Sequence, residues 1–479
     1  MTGRDEHFDI EAPTPDAAAV VTDAPHGSHL SLEGIHGSVA VPHHGAGFWE
    51  QWRAFVGPAI LVSVGYMDPG NWGTDLQGGA QFKYGLLWVV GLASLMAIFM
   101  QVISARLGVV TGKDLAQCCR DWYPQWTRWP NWLMSELAIG ACDLAEVLGS
   151  AVAINLMFHI PLLWAVIITG LDVLLLLTLQ GLGVRAIEAV VLLLVATIAV
   201  CYFIEIFILP QTQPAFLEMG RAFVTPHFRQ SGMLYLAIGI IGATVMPHNL
   251  YLHSALVQSR RLQKDTLSIR RAIQFNTVDS IVALSVAFFV NAAILVLAAT
   301  VFFGKQSVTV AGGQLIHFSA TSDWIRVAYL TLAPLLGTAI ASTLFAVALL
   351  ASGQSSTITG TLAGQVVMEG FMHWRIKPWV RRLITRTLAI LPAVFVIGVR
   401  GNSSVTDLLT LSQVVLALQL PFAMFPLLHF TSSEKRMGYW KNGWFLTVAG
   451  WASAILITAM DIYGLPDSLK AAWQVIAGG

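Results

Sequence analysis

The sequence predicts an all-helical protein that crosses a membrane many times. Of its 479 residues, 56% are hydrophobic and only 11% are charged, and the mean hydropathy is +0.67. Soluble domains carry roughly 25% charged residues, so this composition excludes an ordinary water-soluble globular fold. Two of the long apolar segments are interrupted by the same X-Pro-X-Asn pattern. Paired interruptions of this kind indicate two related halves built as inverted repeats.

Residues 1–50 form a polar segment that we expect to be a disordered tail, since it has no sustained apolar periodicity. Six of the 13 histidines fall within it: His7, His26, His29, His36, His43 and His44. Metal collection by this tail is one interpretation, but the spacing is irregular, and we favour a plain flexible terminus. The first apolar segment lacks the layout of a cleavable signal peptide, so we expect it to remain as the first span.

Eleven apolar segments are long enough to cross a bilayer, for which a helix needs about 20 residues. They cover residues 54–80, 84–110, 131–158, 160–180, 186–209, 232–259, 274–303, 329–358, 382–399, 404–430 and 443–463. The first and the sixth are broken. We therefore predict one membrane domain over residues 51–463, with repeats at about 54–209 and 232–430. An extra helix at 443–463 and a short external tail over 464–479 complete the chain.

Basic residues indicate the orientation, because cytoplasmic loops are enriched in lysine and arginine. Two clusters lie in loops that alternate correctly for a cytoplasmic N-terminus: Arg260, Arg261, Lys264, Arg270 and Arg271, then Arg375, Lys377, Arg381, Arg382 and Arg386. We expect most of these residues to act as topology anchors. The pattern predicts a multi-pass protein of the cell (inner) membrane with an external C-terminus.

Composition and cysteine usage exclude several other functions. The net charge is zero, so nothing favours a nucleic-acid partner. The four cysteines, Cys118, Cys119, Cys142 and Cys201, form no CxxC or Cys/His zinc pattern. We find no catalytic triad or phosphate loop, and we predict neither an enzyme nor a cofactor. No obligatory protein partner is inferred, and the lipid bilayer is the expected surrounding.

The first break is Asp68-Pro69-Gly70-Asn71. A carboxylate in the middle of a span costs roughly 2.5 to 3.5 kcal/mol on insertion scales, so a functional role is the default expectation. The residue before a proline is pushed out of helical geometry and Gly70 adds backbone freedom, so the helix should open at Asp68. Because Pro69 cannot donate to the carbonyl four residues earlier, the Gly65 carbonyl should be free.

The second break is Met246-Pro247-His248-Asn249, where Pro247 frees the carbonyl of Ala243 in the same way. A carboxylate, an amide, freed carbonyls and a thioether would then lie at one depth in the membrane. Mg²⁺ and Ca²⁺ prefer oxygen ligands, whereas a thioether helps an ion with some affinity for sulfur. The set therefore favours Mn²⁺, Fe²⁺ or a similar ion. Methionine in a span usually only packs, but Met246 stands in register with Asp68, directly before a helix-breaking proline.

Three acids mark one face of the third span. Glu136, Asp143 and Glu146 fall within about 80° of one another on a helix, and no basic residue of that span neutralises them. One interpretation is a water-lined proton path or ion vestibule. The other is ion pairing with Arg381 and Arg382 of the ninth span, and both can hold together.

Two further polar residues lie near the breaks or in a later span. Histidine is the side chain that can change its charge near physiological pH, so His248 could take or pass a proton, although a hydrogen-bonded structural role is as common for an intramembrane histidine. Gln413, in the tenth span, is an extra ligand when the site closes, or simply a polar contact between helices.

The two breaks, Asp68–Asn71 and the stretch Gly242–Ser254, resemble the signatures of the Nramp family, in particular its bacterial proton-coupled manganese transporters. The similarity runs from about Gly57 to the end of the last span. It implies a LeuT-type fold of two inverted five-helix repeats, with broken helices 1 and 6, followed by an eleventh helix.

The resemblance also implies the roles of particular residues. The metal site would use the side chains of Asp68, Asn71 and Met246 with the backbone of Ala243, and Gln413 would join it in closed states. Protons would move through Asp68, Asp143 and Glu146, with help from His248 and the paired arginines Arg381 and Arg382.

The expected function is secondary active import of Mn²⁺, and also of Fe²⁺, coupled to proton movement. Divalent metal ions and protons are the expected partners, the metal being the transported substrate. Two alternatives stay open: a carrier of Mg²⁺ or an organic solute on the same fold, and a metal receptor that does not transport. Met246 beside Asp68 argues against the first. The short segment after the last predicted span, which leaves no room for an output domain, argues against the second.

Overall fold

The structure is a computed structural model that describes residues 36–42, 47–172, 174, 184–208, 214–230, 232–263, 265–309, 315–318, 322–336, 339–401 and 405–477. The helices are α1 Phe48–Phe55, α2 Pro58–Ser63, α3 Pro69–Phe82, α4 Leu87–Thr111, α5 Leu115–Trp122, α6 Arg128–Phe158, α7 Leu162–Ile168, α8 Val184–Phe203, α9 Phe216–Val224, α10 Met233–Val245, α11 Pro247–Leu256, α12 Thr266–Val301, α13 Trp324–Leu336, α14 Ala339–Met372, α15 Pro378–Arg400, α16 Val405–Thr431, α17 Glu434–Met437 and α18 Trp444–Ala477. Strand β1 (Val39–Ala40) pairs in parallel with β2 (Arg260–Arg261), and β3 (Ser307–Thr309) pairs antiparallel with β4 (Leu315–His317).

The structure confirms an all-helical membrane protein. In the part of the chain that it describes, nine helices are long and apolar enough to cross a membrane. The broken first span and the fourth span are shorter apolar helices, Pro58–Met67 and Leu162–Leu171. Each of the eleven predicted spans therefore overlaps at least one helix, although residues 173 and 175–180 of the fourth lie outside the described residues.

The predicted limits of the eighth span, 329–358, are wrong. That range joins the end of α13, which stops at Leu336, to the first half of α14, which continues to Met372. The second half of α14 is rich in Ser, Thr, Gly and Gln, so its hydropathy is low. These small polar side chains are buried because α14 packs along α6.

The two ends of the chain also differ from the prediction. Strand β1 and the start of α1 fall within the predicted disordered tail, and α18 continues to Ala477 through the predicted C-terminal tail. Residues 1–35 and 43–46 of the N-terminal tail lie outside the described residues, and with them most of its histidines.

Both predicted helix breaks are confirmed. After α2 a 3₁₀ turn covers Gly65–Met67, and Asp68 is extended, with φ −65° and ψ 165°, before α3 begins. Helix α10 ends at Val245, and Met246 takes φ 39° and ψ 103° before α11 begins. A positive φ is uncommon for a residue other than glycine and marks local strain. Both prolines occupy the first helical position, where the missing N–H has no helical partner to lose.

The broken helices lie at the centre of the bundle. Helix α12 packs against α3 and α4, and α16 packs against both α10 and α6. Helix α6 in turn contacts α14 and α15. This arrangement brings the two breaks together and places the carboxylates of α6 beside the arginines of α15.

Candidate metal site and carboxylate network

The side chain of Asn71 joins the two helix breaks. Its Nδ2 donates to Oδ1 of Asp68 and to the carbonyl oxygen of Ala243, each over 2.9 Å. Oδ1 of Asp68 also accepts the backbone N–H of Asn71 over 2.9 Å, which caps α3. All three residues are fully buried. The amide of Asn71 therefore links the Asp68 carboxylate of the first break to the Ala243 carbonyl of the second.

Met246 brings a thioether to the same place. A Cβ atom added at Gly65 would lie 3.1 Å from its sulfur, so Sδ rests against the first break. Nδ2 of Asn249 lies 3.4 Å from that sulfur. Oδ2 of Asp68 is buried and has no hydrogen-bond partner among the described residues. Such an oxygen costs free energy unless something pairs with it, and a bound cation would do so.

The expectation of a free Gly65 carbonyl is wrong. This carbonyl accepts the N–H of Asp68 over 3.3 Å, because the chain closes a 3₁₀ turn before the break. Neighbouring carbonyls are also paired: that of Tyr66 accepts from Asn291 over 2.8 Å, and that of Met67 accepts from Ser352 over 2.5 Å. Gly65 instead provides space, since any side chain there would overlap the amide of Asn249.

Gln413 covers the site from α16. A methyl group added at Gly70 would overlap its side-chain amide, and Oε1 of Gln413 has no hydrogen-bond partner among the described residues. Farther along the same face, Thr410 donates to Gln77 of α3 over 3.1 Å. Helix α16 therefore closes the site at the end of the bundle where α3 ends.

Charged residues close the opposite end; we call Arg185, Glu188, Arg260 and Asp279 the Arg260 cluster. Oδ2 of Asp279 accepts the N–H groups of Gly57 and Ala59 at the start of α2, over 3.2 and 3.0 Å. Arg260 donates to the carbonyl of Val56 over 2.6 Å and pairs with Glu188 over 2.9 Å. The cluster fixes the N-terminal end of α2, so the site is closed on both sides.

The acids of α6 pair with the arginines of α15, as one of the two interpretations predicted. Arg381 lies 2.7 Å from Glu136. Arg382 pairs with Asp143 and, over 2.9 Å, with Glu146. Removing one partner of such a buried pair leaves an uncompensated charge, which typically costs about 3 to 5 kcal/mol.

Sequence reasoning missed Asp172 and underrated Arg386, which form an ion pair with each other. Arg382 also lies 3.4 Å from Asp172, and Thr357 of α14 donates to both Glu146 and Asp172. An acid within an apolar span was itself a signal for Asp172, by the argument that singled out Asp68. Arg386 was visible only as one member of a basic cluster.

Counting the charges shows an imbalance in this buried network. Three carboxylates, Asp143, Glu146 and Asp172, surround two guanidinium groups, Arg382 and Arg386. Burying an unpaired charge is costly, so a network with one surplus carboxylate has a place for a proton.

The network adjoins the metal site through α6. Gly149, one turn after Glu146, packs so closely on Pro69 that a methyl group there would overlap the proline ring. His248 is buried, and its Nδ1 has no hydrogen-bond partner among the described residues. The structure thus brings Asp68, Asn71, Gly65, Ala243, Met246 and Gln413 close together at the two breaks, and joins Glu136, Asp143, Glu146, Arg381 and Arg382 in ion pairs. Among the described residues, His248 makes no hydrogen bond to either group.

Comparisons with known proteins agree on one family. The family model for Natural resistance-associated macrophage protein-like (Nramp) proteins matches residues 59–467. A protein of Nostoc sp. named divalent metal cation transporter MntH is 49% identical over 441 residues, covering 92% of this chain and 96% of that protein. The MntH of Bradyrhizobium diazoefficiens is 48% identical over 460 residues, covering 95% and 98%.

A solved structure is similar in fold as well as in sequence. The crystal structure of the Eremococcus coleocola manganese transporter, in complex with an aromatic bis-isothiourea substituted compound, superposes with a TM-score of 0.81. It is 39% identical and covers 91% of both chains. Residues 59–467, which the family model matches, include both helix breaks and the carboxylate network. Structures of this family have the LeuT fold. The chain belongs to the Nramp family.

Proposed function

We propose that this protein is a secondary active importer of Mn²⁺, and also of Fe²⁺, that couples metal uptake to proton movement. The observation that carries the proposal is the bridge made by Asn71 between Asp68 and Ala243, with the sulfur of Met246 against the same break. The similar proteins named as divalent metal cation and manganese transporters support the substrate class.

The donor set supports a transition ion over an alkaline-earth ion. Asp68 offers an oxygen that has no hydrogen-bond partner in the described part of the chain, and Ala243 offers a carbonyl. Asn71 offers an amide, which can turn so that its oxygen instead of its nitrogen faces a bound ion. Oxygen donors alone would suit Mg²⁺ or Ca²⁺. The thioether of Met246 adds a soft ligand, which shifts the preference towards Mn²⁺ and Fe²⁺.

Transport requires the two closures to open in turn. In the proposed cycle, α16 moves away from α3, and an ion enters from outside and exchanges its water for the ligands. Gln413 then closes over Gly70 and joins the site. The ion is released inward when the hydrogen bonds between the Arg260 cluster and the start of α2 break. Alternating access by movement of helices around a fixed midplane site is the general mechanism of transporters built from inverted repeats.

Protons share Asp68 with the metal in this proposal. A cation bound at Asp68 displaces its proton, and the surplus carboxylate of the adjoining network accepts it. From Glu146 and Asp143 the proton passes along α6 towards Glu136, at the end where α6 begins. Arg381 and Arg382 hold these carboxylates in place, and His248 assists at the second break. The path stays separate from the Arg260 cluster, so metal and proton leave by different routes.

We place the protein in the cell (inner) membrane with its N-terminus in the cytoplasm and its C-terminus outside. The loops rich in lysine and arginine support this orientation. Import then runs from the end covered by Gln413 to the end held by the Arg260 cluster.

Mn²⁺ uptake into proteoliposomes tests the proposal. Under an inward proton gradient, with a large excess of Ca²⁺ and Mg²⁺ outside, we expect Mn²⁺ uptake and acidification of the lumen. Asp68→Ala should abolish both, while the exposed substitution Lys470→Ala should change neither. Mn²⁺ uptake that persists in Asp68→Ala would contradict the proposed mechanism. Competition by Mg²⁺ would favour the alkaline-earth alternative, and binding without uptake would favour a receptor.

A further inference from the structure

A cavity of about 220 Å³ lies beside the Arg260 cluster and has no role in the proposed transport cycle. Four elements enclose it: the N-terminal segment with β1, helix α1, the loop after β2 and the first turns of α12. Its lining residues are Ala40, Val41, Pro42, Gln51, Phe55, Arg261, Leu262, Gln263, Ser268 and Arg271.

The lining is suited to an anion. Arg261 and Arg271 contribute two positive charges, and the described residues that line the cavity include no Asp or Glu. Arg271 is oriented by Gln51, whose Oε1 lies 3.4 Å from its Nη1. Guanidinium groups bind phosphate through several parallel N–H groups, which makes arginine the preferred residue for such sites.

The neighbouring helix points to a lipid as the source of that phosphate. Helix α1 has the sequence FWEQWRAF, and its Phe48 and Trp49 are 62% and 74% exposed. Aromatic residues exposed on a short amphipathic helix are typical of the membrane surface, where headgroups lie. Phe48 and Phe55 both pack on Phe275 of α12, which fixes α1 beside the cavity.

We propose that this cavity binds the phosphate group of an anionic phospholipid in the leaflet that faces the Arg260 cluster. Its assignment to the cytoplasmic leaflet rests on the proposed orientation. Basic pockets between membrane helices on the cytoplasmic side are the chemistry by which membrane proteins hold anionic headgroups.

A bound headgroup would strengthen the closure at this end of the bundle. Strand β1 is held on β2 beside the cavity, since Gly37 donates to the carbonyl of Gln258 over 3.0 Å and accepts from Arg261 over 3.3 Å. Arg260, the residue before Arg261, holds the start of α2. A phosphate bridging Arg261 and Arg271 ties the N-terminal segment, α12 and the Arg260 cluster into one unit, so α2 swings away less readily.

Thermal unfolding of the purified full-length protein tests the site directly and needs no assumption about transport. We compare added phosphatidylglycerol, phosphatidylcholine and inorganic phosphate for the wild type and for the double variant Arg261→Gln, Arg271→Gln. Arg270→Gln is the matched control, because Arg270 is exposed on the same helix and does not line the cavity. The double variant Arg261→Lys, Arg271→Lys keeps the charge and checks that loss of binding is not loss of folding.

Phosphatidylglycerol should raise the Tm of the wild type and of Arg270→Gln, and to a smaller extent that of the lysine variant, which keeps the charge but loses the parallel N–H donors, whereas phosphatidylcholine should raise none of them. The glutamine double variant should need at least about tenfold more lipid for the same rise, since each charge-assisted hydrogen bond is worth roughly a factor of ten. An equal response of the glutamine variant would overturn the site. A full response to inorganic phosphate alone would overturn the lipid as its source. Mn²⁺ uptake by the same variants in proteoliposomes tests the proposed function separately. If no variant and not even the wild type takes up Mn²⁺, the proposed function is contradicted, while the effect of lipid on Tm still supports the site.

Discussion

Substituting Gly70 by alanine tests whether Gln413 closes the site against the first break. In the structure, a Cβ atom at position 70 would lie 2.8 Å from Oε1 of Gln413 and closer still to Nε2. The van der Waals contact distance between non-bonded heavy atoms is about 3.5 to 4.0 Å. With alanine at position 70, α3 and α16 must therefore separate, or the side-chain amide of Gln413 must move. Gln413 is fully buried between the two helices, so its amide has little room to turn away. We therefore expect Gly70→Ala to oppose the closed state.

The size of the effect follows from the cost of overpacking. Extra methyl groups in a packed interior typically cost about 1 to 3 kcal/mol. Applied to the equilibrium between open and closed forms, this shifts the population towards the open form by about five- to 150-fold. Because transport needs both forms, the rate of Mn²⁺ uptake should fall within a similar range.

A double variant separates this steric effect from loss of a ligand. Gln413→Ala alone should weaken Mn²⁺ uptake only modestly, since Gln413 joins the site only on closure. Gly70→Ala, Gln413→Ala should return to the uptake of Gln413→Ala, because the overlapping amide is gone. Uptake into proteoliposomes for the three variants measures this cycle. If Gly70→Ala behaves as wild type, or if the double variant is no better than Gly70→Ala, the close approach does not control closure.

Three further perturbations test other parts of the structure. Met246→Ala should lower Mn²⁺ uptake and raise competition by Ca²⁺, because only oxygen ligands remain; unchanged selectivity in competition assays would mean that the sulfur is not a ligand. Arg382→Met should lower thermal stability by about 3 to 5 kcal/mol, because it leaves Asp143 without an ion-pair partner among the described residues and leaves Glu146 with only Arg386, 3.7 Å away. Asp143→Asn in the same chain should recover part of this loss, and no recovery would show that the ion pair is not the cause. Burial raises the pKa of Asp114, at the start of α5 and outside the spans, to about 7 from its ordinary 3.8. Folding favours the neutral form of the Asp114 carboxyl. Its contribution to the free energy of unfolding is therefore complete below the ordinary pKa of 3.8 and is lost as the pH rises through about 7. Asp114→Asn should therefore flatten the decline of Tm between about pH 4 and pH 7, the interval between the ordinary and the raised pKa of Asp114, and an unchanged slope would contradict this.

The features that the sequence predicted well depend on local chemistry. Pro69 and Pro247 break their helices because a proline lacks the N–H that a helix interior needs, whatever surrounds it. The positions of most membrane helices along the chain follow from apolar runs in the same way, although not their exact ends. The position of Asp68 in a span was informative because an intramembrane carboxylate is costly without a partner.

The features that it missed depend on contacts between distant segments. The Gly65 carbonyl is paired because the chain tightens into a 3₁₀ turn, which the pattern of residues did not reveal. Asp172 and Arg386 meet only because α15 packs across the third and fourth spans. The eighth span was misplaced because the polar face of α14 is buried against α6 rather than exposed to lipid. Tertiary packing, which a single sequence does not show, decides each of these cases.

Anomalous diffraction from crystals of the protein grown with Mn²⁺ tests whether the two helix breaks form the metal site. We expect one strong manganese peak between the breaks, in contact with a carboxylate oxygen of Asp68, the carbonyl of Ala243 and the sulfur of Met246. Crystals of Asp68→Ala should lack that peak. A manganese peak located elsewhere in the bundle, or one at the breaks that does not touch Met246, would contradict it.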